Sequence, residues 1–165
     1  MLQVSDPATG EAIYISMTVP EIQRLVAAQI PLAQMLHLQL EEVSPNFARL
    51  LLPFDPLLLN HVGTLHAGAL FTAAETCALA LGYTLLPISE VQCHSKAVEM
   101  RFRKPARHDL WATAQLAPLA DGSPNELLAR LTAEGKIDAQ VMVELSDQAG
   151  ERAAEGTITL ILRRL

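Results

Sequence analysis

Apolar residues recur with a helical period after Thr18, at Ile22, Leu25 and Val26, until Pro31 interrupts. Thr18 as N-cap, Pro20 in the first turn and Glu21 at the third position form a helix-start signature. The chain therefore begins with a predicted helix, and a second short helical piece runs to His37. Leu38–Val43 and Phe47–Leu52 read as two strands about the turn Ser44-Pro45-Asn46. Pro53–Leu65 reads as a loop. Val98, Met100 and Phe102 alternate with Glu99, Arg101 and Arg103, which predicts a strand with one face buried. Leu110–Leu119 is another strand. Ser123-Pro124-Asn125-Glu126 repeats the helix-start signature, and a helix carrying Leu127, Leu128 and Leu131 should end near Gly135. Ile137–Leu145 and Gly156–Leu162 predict a hairpin about Asp147–Gly150. Residues 1–17 read as an N-terminal arm with a turn at Asp6–Gly10, and residues 18–165 as one domain.

The longest apolar run, AGALFTAAETCALALGYTLL from Ala67 to Leu86, has one acid in its middle, Glu75. A helix apolar on every side is a buried helix. An unpaired carboxylate inside it is unfavourable by several kcal/mol on general grounds, so Glu75 is either a structural hydrogen-bonding group or a chemical one. The run is long enough to span a bilayer. Glu75 at its centre, its threonines and glycines, and the lack of a flanking cationic cluster argue instead for a helix wrapped by a sheet. Sequential strands with short turns around one long helix give an α+β class with an antiparallel sheet.

Composition narrows the function. Half the residues are hydrophobic and 18% are charged, which is a globular balance. A net charge of −6 excludes a general nucleic-acid binder. Cys77 and Cys93 lie in apolar stretches, as reduced thiols of a cytoplasmic protein do, and the N-terminus reads as no signal peptide. The histidines at 37, 61, 66, 94 and 108 have no metal-ligand spacing, so no metal is expected.

His66-Ala67-Gly68 should supply the first amides of the long helix, which lack intrahelical acceptors. Such amides suit an oxygen gaining negative charge, as in acyl transfer. Gly68, Glu75 and Gly82 recur every seven residues and form a stripe that is small except at Glu75. Glu75 lies two turns beyond Ala67, about 12 Å along the axis. One carbonyl can hardly meet both groups of the same helix, so joint action predicts two subunits related by a two-fold axis. Read singly, each residue has a plainer role: Asn60 as a turn or cap residue, His66 as a cap, Glu75 as a partner for Thr72, Thr76 or a strand.

The motif Asn60-x5-His66-Ala67-Gly68-x6-Glu75 resembles the active-site signature of hotdog-fold thioesterases. The resemblance is to the phenylacetate-pathway and thioesterase-superfamily-member type, and to a thioesterase-like branch of unknown function. It covers most of residues 30–165. It implies a hotdog fold, an antiparallel sheet around one central helix, and hydrolysis of acyl-coenzyme A or a related carrier thioester. It implies that Asn60 holds substrate or water, that the Ala67 amide polarises the carbonyl, and that Glu75 of the facing subunit is base or nucleophile. Counting ten residues back from Pro105 makes Ser95 the water-orienting hydroxyl. The family usually has His-Gly-Gly where this chain has His66-Ala67-Gly68, and the closest branch usually has Asp where this chain has Glu75. His66 and Gly68 shape the site, and His61 and His94 are placed at its mouth.

Arg101, Arg103, Lys104 and Arg107 form the one local basic cluster. Arg103 and Arg107 are the choices for the phosphates of coenzyme A, a part of the substrate and not a cofactor. The rest of the cluster reads as the solvated face of a strand. The expected assembly is a homodimer or a dimer of dimers. The alternative to hydrolysis is an acyl-thioester or fatty-acyl binding protein without turnover. A dehydratase and a structural dimer are the remaining readings.

Overall fold

The capping signatures are formed as the sequence predicts. In the computed structural model, which describes residues 2–5, 12–15, 17–85, 90–117 and 123–165, helix α1 spans Val19–Gln29. The Glu21 carboxylate accepts from the Thr18 N–H and hydroxyl, both at 2.7 Å. Pro31–Met35 is α2. Two short strands, β1 (Leu2–Ser5) and β2 (Ala12–Ile15), pair antiparallel in a sheet of their own. The turn placed at Asp6–Gly10, the tail of the apolar run at Leu86 and the end of a strand at Leu119 lie outside the described residues.

Six longer strands form one antiparallel sheet: β3 (Gln39–Ser44), β4 (Phe47–Leu52), β5 (Val91–Phe102), β6 (Leu110–Leu116), β7 (Lys136–Ser146) and β8 (Arg152–Arg164). Their order is β3-β4-β6-β7-β8-β5, with β3 and β5 at the edges. Asn46 in the β3–β4 turn accepts from the Leu116 N–H at 3.1 Å and ties the turn to β6. Helix α4, Pro124–Glu134, is closed by Ser123 and Glu126 at its start, and by Gly135 at φ +72° after its end. That φ suits glycine and is seldom adopted by other residues.

The long apolar run forms helix α3, Ala67–Gly82, shorter than the run itself. It contacts all six strands of the large sheet, and eleven of its sixteen residues are buried. The sheet curls around it because β5, β7 and β8 each turn an alternating set of apolar side chains inward. Two expectations are corrected here. Gly82 does not continue the open stripe: a Cβ there would lie 2.7 Å from the Cys93 sulfur and 3.3 Å from Leu160, so its backbone presses on the sheet. A seven-residue step falls about 20° short of two full turns, and that drift has turned Gly82 inward.

The second correction concerns β5, which begins at Val91 and carries a bulge between Ser95 and Ala97. The bulge switches the inward parity from odd residues, Val91 and Cys93, to even ones, Val98 and Met100. Phe102, expected on the buried face, is 52% exposed at the strand's end.

Candidate active site

The loop before α3 is built from its own backbone. Asp55 caps a 3-10 turn at Pro56–Leu58, accepting from the Leu57 N–H at 2.8 Å. Asn60 then organises the next turn: its Oδ1 accepts from the N–H groups of Val62 (3.0 Å) and Thr64 (3.2 Å), and its Nδ2 donates to Thr64 Oγ1 at 2.8 Å. The plainer role for Asn60 is thus real. One of its two amide protons remains for another acceptor. Gly63, at φ +72°, supplies the left-handed residue this turn requires. The Leu65 N–H donates to Ala106 O at 2.9 Å, which holds the loop against residues 103–107.

His66 caps α3. Its Nδ1 accepts from the Gly68 N–H at 2.9 Å, so the neutral ring carries its proton on Nε2. A Cβ at Gly68 would stand 3.1 Å from that Nδ1, and its lack lets the cap close. The Ala69 and Leu70 amides both donate to His66 O. Of the amides of the first turn, only that of Ala67 has no acceptor among the described residues, and Ala67 is exposed. Ala67 has helical backbone, so an alanine in place of glycine introduces no strain there.

Ala67 lines a cleft of about 350 Å3 together with Asn60, Leu70, Phe102, Arg103 and Arg107. Four of the residues singled out from the sequence, Asn60, Ala67, Arg103 and Arg107, are brought together there. Lys104 of the basic cluster also lines it, as do Phe102 and Thr64, which were missed. Phe102 could have been noticed as the one large apolar residue ahead of the Arg103-Lys104-Pro105 segment.

The remaining choices lie elsewhere in the chain. Glu75, Ser95, His61, His66 and Gly68 do not line this cleft. His61 is exposed on the loop. Glu75 is half-buried rather than enclosed, and its carboxylate makes no hydrogen bond or ion pair among the described residues. Thr72, offered as its structural partner, donates instead to Gly68 O at 2.9 Å. Glu75 belongs to a stripe of α3 that the sheet leaves uncovered, with exposed Ala67, Phe71 (37% exposed) and half-buried Leu79. Those residues are four apart, on one face of the helix. Ser95 shares the inward parity of Cys93, and its Oγ is shielded from solvent without a hydrogen-bond partner. An orphaned buried hydroxyl is uncommon and calls for an explanation.

The basic cluster is mostly neutralised. Arg101 pairs with Glu99 at 3.2 Å, Arg103 with Glu155, and Lys104 with Glu151. Hydrogen bonds from Arg103, then from Arg152, hold the Glu155 carboxyl below its usual value. Arg107 alone of the four has no acidic partner among the described residues. The thiols are poor nucleophiles. Burial pushes Cys77 far up and Cys93 up to about 12, and the Cys77 sulfur donates to the carbonyls of Ala48 and Ala112.

A family model, a domain of unknown function designated DUF4442, matches residues 20–162. The chain belongs to the DUF4442 family. Among solved structures, this DUF4442 chain is similar to Pseudomonas aeruginosa PA5026, a protein of unknown function described as a probable thioesterase. The identity is 28% over 93% of this chain and 100% of that one, with a TM-score of 0.78. It is also similar to the Haemophilus influenzae thioesterase HI1161 (14% identity, 91% and 93% coverage, TM-score 0.73). A third is the Escherichia coli PaaI protein from the phenylacetic acid degradation operon (16%, 92% and 96%, 0.69). A comparison with curated proteins finds no match. The fold is the α+β hotdog fold, and hotdog-fold thioesterases are among the solved structures this DUF4442 chain resembles. Among the described residues, no helix is long and apolar enough to cross a membrane.

Proposed function

We propose that this DUF4442 chain hydrolyses acyl thioesters, carried on coenzyme A or on a carrier protein, at a site shared by two copies of the chain. The reading is carried by one observation: Ala67, whose amide has no acceptor among the described residues, lines a cleft, while Glu75, without a partner among them, stands about 12 Å further along the same helix. A second copy related by a two-fold axis brings its Glu75 to the first copy's Ala67. Its own Ala67 meets the first copy's Glu75 in return. The uncovered α3 stripe and the long edge strand β5, twelve residues with one edge unpaired in the sheet order, offer surfaces for that pairing.

In this reading the thioester carbonyl oxygen accepts from the Ala67 N–H, at the positive end of α3. The partner subunit's Glu75 takes a proton from water as the water oxygen bonds to the carbonyl carbon. Collapse breaks the C–S bond, and the thiolate leaves with the proton that Glu75 held. Direct attack by Glu75, with hydrolysis of the resulting anhydride, uses the same groups. Ser95 is assigned to orient the water and Asn60, through its spare amide proton, to hold water or substrate. No cofactor enters the scheme. Reduced Cys77 and Cys93 fit a cytoplasmic setting.

The test is thiol release from a panel of acyl- and aryl-coenzyme A esters, run beside Glu75→Gln. Wild type should release free thiol, and the variant should lose at least about a hundredfold in kcat, a modest value for removing a general base. Equal turnover by the variant refutes the assignment. Saturable binding by wild type without thiol release would make the chain a binding protein instead.

A further inference from the structure

The stripe of α3 that the sheet leaves uncovered has a centre. Halfway between Ala67 and Glu75 in the chain stands Phe71. Steps of four residues keep all three on one face, each about 6 Å from the next along the axis. Phe71 is 37% exposed, while Leu70, Thr72 and Leu81 are buried and Leu79 is half-buried. Among the described residues, it is the large apolar side chain that α3 leaves most open to a partner.

A two-fold axis exchanges equivalent points. One that carries Ala67 onto the partner's Glu75, and Glu75 onto the partner's Ala67, must pass beside the midpoint of that segment. Two copies of α3 then run antiparallel and cross at Phe71. The ends of the crossing complement each other in charge. Each Glu75 carboxylate meets the positive start of the other helix, where the Ala67 N–H has no acceptor among the described residues. The centre has to be complementary to itself. An exposed aromatic ring meets that demand by packing on its own copy.

We infer that Phe71 packs against Phe71 of a second copy at the two-fold axis, and that this pair sets the gap in which the thioester is attacked. The inference rests on the shared-site reading above and names the residue that spaces it. Helix axes pack about 8–10 Å apart, closest where the contacting residues are small. The carbonyl and the attacking water need about 3 Å of hydrogen bond at the amide, the same at the carboxylate, and a near-attack gap of similar size between them. With alanine at the crossing, the axes would close toward the short end of that range and narrow the gap. An aromatic pair holds them toward the long end. Phe71 is assigned no contact with the reacting atoms. It is a positioning residue that acts through the distance from Ala67 to the partner's Glu75.

Cross-linking tests the geometry without turnover. Phe71→Cys should form a disulfide-linked dimer under mild oxidation, because a residue at the axis meets its own copy. Leu79→Cys, two turns along the same face, stands about 24 Å from its copy and should not. Cys77 and Cys93 are 0% and 3% exposed and give no background. In Ala67→Cys/Glu75→Cys, a short bismaleimide should link two copies. Kinetics test the spacing, at concentrations where sedimentation shows an intact dimer. Phe71→Ala should lower kcat about tenfold to a hundredfold, the scale of an ångström's misplacement, with KM moved less than about threefold. Phe71→Leu keeps a bulky side chain and should recover most of that loss. A residue that only stabilised the dimer would leave the kcat of intact dimer unchanged. Linking of Ala67→Cys/Glu75→Cys without linking of Phe71→Cys overturns the packing at the axis and leaves the shared site standing. Wild-type kcat in Phe71→Ala overturns the spacing role. A monomer in sedimentation, or no link in either variant, instead removes the shared-site reading and the inference with it.

Discussion

Gly82→Ala tests how α3 is seated, and through it where Glu75 stands. The added Cβ would fall 2.7 Å from the Cys93 sulfur, about 1 Å inside ordinary contact, with Leu160 Cδ1 at 3.3 Å and Leu162 Cδ2 at 3.6 Å beside it. Cys93 is 3% exposed, so its sulfur cannot swing into solvent. Overpacking of this kind costs about 1–3 kcal/mol. Gly82→Ala also gains helix propensity, but at the last residue of α3 that gain is at most ~1 kcal/mol. A net loss of about 1–2 kcal/mol corresponds to a fall in Tm of about 2–8 °C for a chain of this size.

The decisive variant is the double one. Cys93→Ala removes the atom that clashes and, alone, leaves a small void. In Gly82→Ala/Cys93→Ala the new methyl occupies the space of the lost sulfur, so the two changes should be less damaging together than their sum. A coupling of at least about 0.5 kcal/mol is expected for residues in contact. The assay is thermal and denaturant unfolding of all four proteins at one fixed protein concentration. Strict additivity would refute the placement of Gly82 against Cys93. So would a Gly82→Ala protein as stable as wild type.

Glu75→Gln should leave Tm within about 1–2 °C of wild type while losing a hundredfold to ten-thousandfold in kcat, because Glu75 has no partner among the described residues. Calorimetry beside the thiol assay checks this, and a large drop in Tm would make Glu75 structural. Asn60→Ala strips the Val62 and Thr64 amides of their acceptor and should cost about 1–2 kcal/mol, whereas Asn60→Asp keeps an acceptor oxygen for both amides. Near-normal stability with reduced turnover in Asn60→Asp would mark the spare amide proton as a substrate contact, and full turnover would discard that role. Glu155, held below its usual value of 4.5 by Arg103 and Arg152, contributes stability above pH 4.5 that is lost as pH falls through its lowered native value. The stability gap between wild type and Glu155→Gln should therefore narrow between pH 6 and pH 3 in acid unfolding, and a constant gap would refute that account.

Local chemistry was legible from the sequence where it was self-contained. The capping pairs Thr18–Glu21 and Ser123–Glu126, the Pro45-Asn46 turn, the Gly135 stop and the Asp147–Gly150 hairpin each depend on residues a few positions apart. The start of α3 at Ala67 followed from the same rules. What escaped depends on register across the sheet. The β5 bulge breaks the alternation that would have extended the strand back to Val91, and Phe102 at its end faces a cleft rather than the core. Nothing local reveals that β5 lies beside β8 and sets Glu155 against Arg103. A second cleft joins segments around residues 54, 107–111 and 147–149, whose proximity only the fold creates.

The first turn of α3 explains why one amide is left over. A helix start presents several N–H groups without acceptors. Here the His66 imidazole takes that of Gly68, and the His66 carbonyl takes those of Ala69 and Leu70. A Cβ at Gly68 would crowd Nδ1 at 3.1 Å, so glycine there leaves the ring room to cap. What remains, among the described residues, is a single donor at Ala67, at the positive end of a sixteen-residue helix and beside a cleft. The same rigid helix fixes Glu75 two turns away, on a stripe the sheet does not cover. A helix cannot bend by that distance to bring its own acid to its own amide. In the proposed reading, that separation is the one a two-fold axis would close, with each α3 lending its middle to the other's tip.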